Sequence, residues 1–147
     1  MTSEALRSYL HDHIPLSRAM AVEVVEASAA HVLLEAPLAP NINMHGTMFG
    51  GSSATLALLA AWSVMHLKLE AEGLAGQLVI HRTNTEYLLP ITGLAQASAY
   101  LDEAGWPGFR ETFQRRRRAR LAIVSELLFE GKVAGRLTGE FVAISAG

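Results

Sequence analysis

The chain has 147 residues, 50% hydrophobic and 18% charged, which is one domain's worth of sequence, too apolar to remain disordered and long enough to bury a core without a disulfide or structural metal. Twelve basic residues against fourteen acidic ones leave a net charge of -2, so no global field attracts a polyanion and nucleic acid is not expected as a partner. The absence of cysteine excludes a thiolate metal site and a cysteine nucleophile and fits a reducing compartment. Glu4, Asp12 and the lack of an apolar run before Ile14 argue against a secretory signal, so a cytoplasmic location is expected.

Residues 2–13 read as a short helix, with Thr2 or Ser3 as cap and Leu6, Tyr9, Leu10 and His13 at helical spacing; Ile14 and Pro15 are expected to end it. Val22–Ala27 and His31–Pro37 read as a first strand pair. From Phe49 to about Ala71 the pattern is one helix of Ala and Leu on every face, which predicts burial on all sides. Its apolar stretch, Ala54–Met65, is too short for the roughly 20 residues of a membrane span, and no membrane insertion is expected. Strands follow near Leu78–Leu89 and Leu94–Leu101, with a turn at Pro90-Ile91-Thr92-Gly93 between them. Next come a short helix from Trp106 to about Gln114 and a hairpin of Arg118–Glu130 with Lys132–Ile144. Such an order is α+β, and the economical packing is one antiparallel sheet of about six strands wrapped around one buried helix. Residues 1–147 are expected to form a single unit.

The chemistry concentrates between the second strand and the long helix, in Asn41-Ile42-Asn43-Met44-His45-Gly46-Thr47-Met48-Phe49-Gly50-Gly51-Ser52. Two glycines at a helix start let a ligand approach the backbone closely. The first-turn N–H groups lack intrahelical acceptors and sit at the positive end of the helix dipole.

Asn43-x-His45-Gly46-x-x-Phe49-Gly50-Gly51 ahead of a long apolar helix resembles the motif of hotdog-fold acyl-thioester hydrolases. Over residues 14–144 the chain is most similar to the bacterial thioesterase domain that occurs alone or fused behind an acetyltransferase. Ile14–Met20, Tyr87-x-x-Pro90, Ala119-Arg120 and Gly139–Val142 also match. The resemblance implies a hotdog fold, a homodimer or tetramer with sites at the subunit interface, and acyl-CoA or acyl-carrier-protein thioesters as substrates. It implies that the Gly51 N–H polarises the thioester carbonyl and that Asn43 orients the carbonyl or the water. The match departs from phenylacetyl-type members at Leu58, which stands where they carry an aspartate on the helix.

No Asp or Glu lies between Ala36 and Leu69, so the base must come from elsewhere. Strand His81–Tyr87 is the candidate source, because both alternating sets are polar in a strand expected to cover the helix; one set holds Arg82, Asn84 and Glu86, the other His81, Thr83, Thr85 and Tyr87. Glu86 or His45 is the candidate base. Gly50, Ser52 and Asn84 are candidate substrate contacts, and Arg118 and Arg120, in an arginine cluster opening a strand, are candidates for coenzyme A phosphates. No metal or cofactor is expected. A non-catalytic acyl-CoA or fatty-acid binding module and a hotdog hydratase or dehydratase are the alternative readings.

Overall fold

The computed structural model describes residues 1–147. Helix α1 (Ser3–His13) starts where Thr2 Oγ1 accepts the Ala5 N–H at 3.0 Å, and it buries Leu6 and Leu10, one turn apart. Pro15 does not leave a loop behind it. It opens a second short helix, α2 (Pro15–Ala19), because proline's fixed φ suits a first helical position. Strands β1 (Glu23–Ala27) and β2 (His31–Ala36) then pair antiparallel, and a 3-10 turn at Ala39–Asn41 leads into the loop before α3 (Gly50–Ala71). After it come β3 (Gly76–Tyr87), β4 (Ala95–Tyr100), α4 (Trp106–Arg116), β5 (Arg118–Phe129) and β6 (Lys132–Ser145). The expected boundaries hold to within a few residues.

All six strands form one sheet in the order β1-β2-β4-β5-β6-β3, and every neighbouring pair runs antiparallel. Only the β5–β6 link is a two-residue hairpin turn, with Glu130 at φ 51° and Gly131 at φ 78°, the left-handed pair that matches strand twist. Helix α3 lies on the inner face over buried Val32, Leu34, Ala95, Ala97, Ile123, Leu137 and Phe141. Helix α3 packs on β4, and Ala95, Ala97 and Ala99 of that strand and Ala57, Ala60 and Ala61 of the helix are all fully buried, small residues that let helix and sheet approach closely.

Three expectations need correcting. Residues 90–93 are not a hairpin turn: β3 sits at the sheet edge beside β6, so the chain crosses beneath two strands to reach β4. Strand β3 does not cover the helix, and ten of its twelve residues are exposed. Its polar character on both faces reflects that edge position, which repeated contacts with α3 would have forbidden. Helix α3 is not buried all round either, because Thr55, Leu58, Trp62 and His66, one to a turn, stay half-exposed along a single stripe.

Candidate active site

The loop between the 3-10 turn and α3 is a closed local structure. The Asn43 N–H donates to Thr47 O at 2.8 Å, and Asn43 Oδ1 accepts the N–H groups of His45 (2.9 Å) and Thr47 (3.1 Å), while Nδ2 donates to Thr47 Oγ1 at 2.9 Å. Gly46 at φ 77° makes the reversal. Asn43 thus braces its own loop with three side-chain bonds, and one amide hydrogen remains free for another partner. Met44 and His45 stand exposed at the tip. The base of the loop is fixed by Met48 N–H to Ile91 O and Phe49 N–H to Asn41 O, both 2.8 Å. The buried Asn41 donates in turn to Met20 O and Pro37 O at 2.9 and 2.8 Å.

Helix α3 begins without a side-chain cap. Ser53 is the first residue to bond back, to Phe49 O at 3.0 Å, and the N–H groups of Gly50, Gly51 and Ser52 meet no protein acceptor. A Cβ on Gly51 would overlap the exposed Phe49 ring, with other ring carbons at 3.1 Å, so that ring would have to shift; a Cβ on Gly50 would meet Tyr87 at an ordinary 3.5 Å. The Tyr87 hydroxyl donates to Gly50 O at 2.9 Å and so ties the edge strand to the helix start. Beside these groups lies a cleft of about 380 Å³ lined by Met48, Ser53, Tyr87, Leu89, Ile91 and Leu127. Three free donors stand at the positive end of a 22-residue helix, with Gly50 in the wall of an apolar cleft, and such a set suits an oxygen that gains negative charge during reaction.

The other sequence candidates are dispersed. A register shift between Ile80 and Arg82 accommodates His81 as an extra residue and resets the alternation beyond it. Thr83, Thr85 and Tyr87 align with Gly139, Leu137 and Gly135 on the inner face. Arg82, Asn84 and Glu86 align with Glu140, Thr138 and Arg136 on the outer face. Glu86 and Asn84 are therefore set away from the helix start of their own chain, correcting the expectation that this strand brings its carboxylate to the glycines. Arg118 and Arg120 flank a cleft of about 350 Å³ with Thr112 and Arg116, at the opposite end of β6 from Gly135. Arg120 is already paired with Glu140 at 3.1 Å.

Two groups near these clefts are not among the sequence's candidate site residues. Tyr87 could have been found by its parity with the inner face once the strand's bulge was known. His66 sits on the half-exposed stripe of α3, its ring stacked on Trp62 (centroids 4.7 Å apart, 11° between planes) and Tyr9 (5.1 Å). Burial pushes its pKa below the ordinary 6.5, against a smaller opposing pull from Glu70.

The model of the family described as "Putative thioesterase (yiiD_Cterm)" matches residues 3–145. Among solved structures, a protein of unknown function from Chlorobaculum tepidum is similar at 29% identity, covering 97% of this chain and 94% of that one with a TM-score of 0.91. A putative thioesterase from Shewanella oneidensis shares 28% identity over 97% of this chain and 96% of its own, with a TM-score of 0.87. A thioesterase from Haemophilus influenzae, 17% identical over 99% of this chain and 92% of its own, superposes with a TM-score of 0.78 and shows the same fold. The α+β architecture, one antiparallel sheet around one long helix, is the hotdog fold, and the chain belongs to this thioesterase family.

Proposed function

We propose that the protein hydrolyses acyl thioesters of coenzyme A or an acyl carrier protein, with the thioester carbonyl seated over the first turn of α3. The observation that carries this reading is the set of three unpartnered N–H groups at Gly50, Gly51 and Ser52, the first of them bordering an apolar cleft. The Gly51 and Ser52 amides hold the oxygen as it gains charge when water attacks the carbonyl carbon. The tetrahedral intermediate then expels the thiolate, which takes up a proton, and leaves the free acid. Of the two candidate bases, His45 has the better support, because its loop runs directly into the helix start whereas Glu86 lies on the outer face. Asn43 keeps that loop in register, and its spare amide hydrogen is available to water or carbonyl. Arg118, with Arg116 beside it, is the phosphate-binding candidate, since Arg120 is held by Glu140.

The reading includes a homodimer. Strand β3 offers a twelve-residue unpaired edge, a liability that two-fold pairing with a second copy removes. Full-length antiparallel pairing that keeps inner faces together sets Ile80 against Thr83, Leu78 against Thr85 and Gln77 against Glu86 of the second copy, with the bulge at the centre. The half-exposed Trp62 of α3 shares a cleft with Gly76–Val79 of that strand. No helix of the protein is long and apolar enough to cross a membrane, and the lack of cysteine supports the expected cytoplasmic location.

Mass spectrometry of the purified protein with a panel of acyl-CoA and acyl-pantetheine thioesters tests the function. Free acid and thiol are expected. Bound but intact thioester would replace the enzyme with an acyl-binding module, and a mass gain of one water without cleavage would make it a hydratase.

A further inference from the structure

The outer face of the sheet, away from α3, carries a group of side chains with no part in the site at the helix start. Leu33 of β2 is aligned with Glu26 of β1 on one side and with Ser98 of β4 on the other. All three share a face with His31, two residues along β2 from Leu33, and His31 stands diagonal to both Glu26 and Ser98, within reach of a long side chain. Its ring bridges them: Nε2 lies 2.7 Å from Ser98 Oγ, and Nδ1 lies 3.0 Å from Glu26 Oε2. The Tyr100 ring stacks on the imidazole, with centroids 4.1 Å apart and 15° between planes, and the His31 side chain is only 15% exposed. Glu26 reaches this row through a bulge. Val24 is aligned with Leu34 and the next aligned pair is Glu26 with Leu33, so Val25 is the extra residue and Glu26 takes the outward place that strict alternation would give to Val25.

A hydroxyl bonded to an imidazole whose other nitrogen faces a carboxylate is the arrangement that activates serine as a nucleophile. The imidazole accepts the hydroxyl proton, and the carboxylate favours the tautomer that leaves Nε2 free to do so. Ser98 also has room beside it for a reactant. It borders a groove of about 490 Å³ with Tyr100, Ala122 and Val124 as apolar wall and Asp102 and Glu126 as the rest of the lining. No basic residue lines the groove, so it disfavours the polyanionic coenzyme A thioesters assigned to the helix start.

We propose that Ser98, His31 and Glu26 form a second catalytic site, esterolytic and independent of the thioesterase reading, for short uncharged esters of acidic alcohols. Ser98 Oγ bonds to the ester carbonyl carbon as its proton passes to His31 Nε2. The carbon–oxygen bond to the alcohol then breaks, the leaving oxygen takes that proton from His31, and the acyl group stays on Ser98. Water next attacks the acyl carbon and gives a proton to His31; the bond to Ser98 breaks, the acid departs, and the proton returns to Ser98 Oγ. Glu26 touches only the imidazole and is a positioning residue. The restriction to acidic alcohols follows from the sheet. Strand β4 is paired with β2 on one side and β5 on the other, so the backbone N–H groups around Ser98 are committed to the ladder and none serves as an oxyanion donor. Such a donor is worth about 100- to 1,000-fold in rate, and without it a leaving group as good as a phenolate is needed.

The test is reaction of the full-length protein with diisopropyl fluorophosphate, followed by intact mass and peptide mapping, beside nitrophenolate release from p-nitrophenyl acetate. A single adduct on Ser98 is expected in the parent, a result that depends on no variant folding. Ser98→Ala should lose the adduct and the ester turnover together, and His31→Gln should slow labelling about 100-fold or more, both at melting temperatures near the parent's. Glu26→Gln should lower kcat for the ester with KM unchanged, and an unchanged kcat removes Glu26 from the site. No adduct on Ser98, or labelling as fast in His31→Gln as in the parent, overturns the proposal. Nitrophenolate release that persists in Ser98→Ala and falls in Gly51→Ala assigns ester cleavage to the helix start and overturns it equally. Acyl-CoA hydrolysis enters none of these outcomes, so failure of either reading leaves the other standing.

Discussion

The helix start can be tested by adding one methyl group. In a helix the Cα–Cβ bond tilts toward the N-terminus, so Gly51→Ala directs its new carbon into the space before the first turn, where the Phe49 ring already lies. Phe49 must move, but it is 57% exposed and loses little packing. The same substitution favours the helix by about 0.5–1 kcal/mol through chain entropy. These effects oppose each other, and the melting temperature should stay within about 4 °C of the parent for a chain of this size. Activity should respond differently, because the displaced ring and the new methyl crowd the site where a carbonyl would meet the Gly51 and Ser52 amides. A drop in kcat/KM comparable to loss of one oxyanion donor is expected, about 100-fold or more. Gly50→Ala is the internal comparison, since its Cβ meets Tyr87 at 3.5 Å and leaves the donors unobstructed; it should remain within a few-fold of the parent. Thiol release from acyl-CoA, followed spectrophotometrically beside calorimetric melting, measures both quantities. A folded Gly51→Ala protein with parental kcat/KM would refute the placement of the carbonyl over this turn.

Three further outcomes follow from the same geometry. Ile80→Lys places a charge on the inner face of the β3 edge and should convert the dimer to monomer with loss of activity, as read by sedimentation; a dimeric, active variant would move the interface elsewhere. Arg118→Glu should raise KM several-fold for acyl-CoA but not for an acyl-pantetheine lacking the nucleotide phosphates, and equal effects on both would return the cluster to a solvated face. Because burial holds His66 below its ordinary 6.5, the unfolded chain takes up this proton first, so stability should fall as pH drops from about 6.5 through the folded-state value and level off below it. Urea midpoints at pH 7.5 and 5.5 should show a smaller acid loss in His66→Gln than in the parent.

The sequence alone determined the elements and the unpartnered amides at the start of α3, because both are local. Helical spacing of Leu6 and Leu10, the Ala/Leu run from Gly50, the alternation of β5 and the Glu130-Gly131 turn are each set by neighbours a few residues apart, and the structure places those elements accordingly. The paired glycines ahead of an apolar helix marked the unpartnered amides for the same reason. Strand order was decided by tertiary structure, since nothing in residues 90–93 says that β3 docks on β6 rather than β4. A single extra residue at His81 reversed the facing of everything after it, moving Glu86 outward and Tyr87 toward the helix start. Period-two reasoning cannot detect such a bulge, because it shows only in the register of β3 against β6, which lie far apart in sequence. The setting of His66 was equally hidden: α1 and α3 are distant in sequence, and only their packing stacks Tyr9 on His66 and leaves its Nε2 buried without a partner.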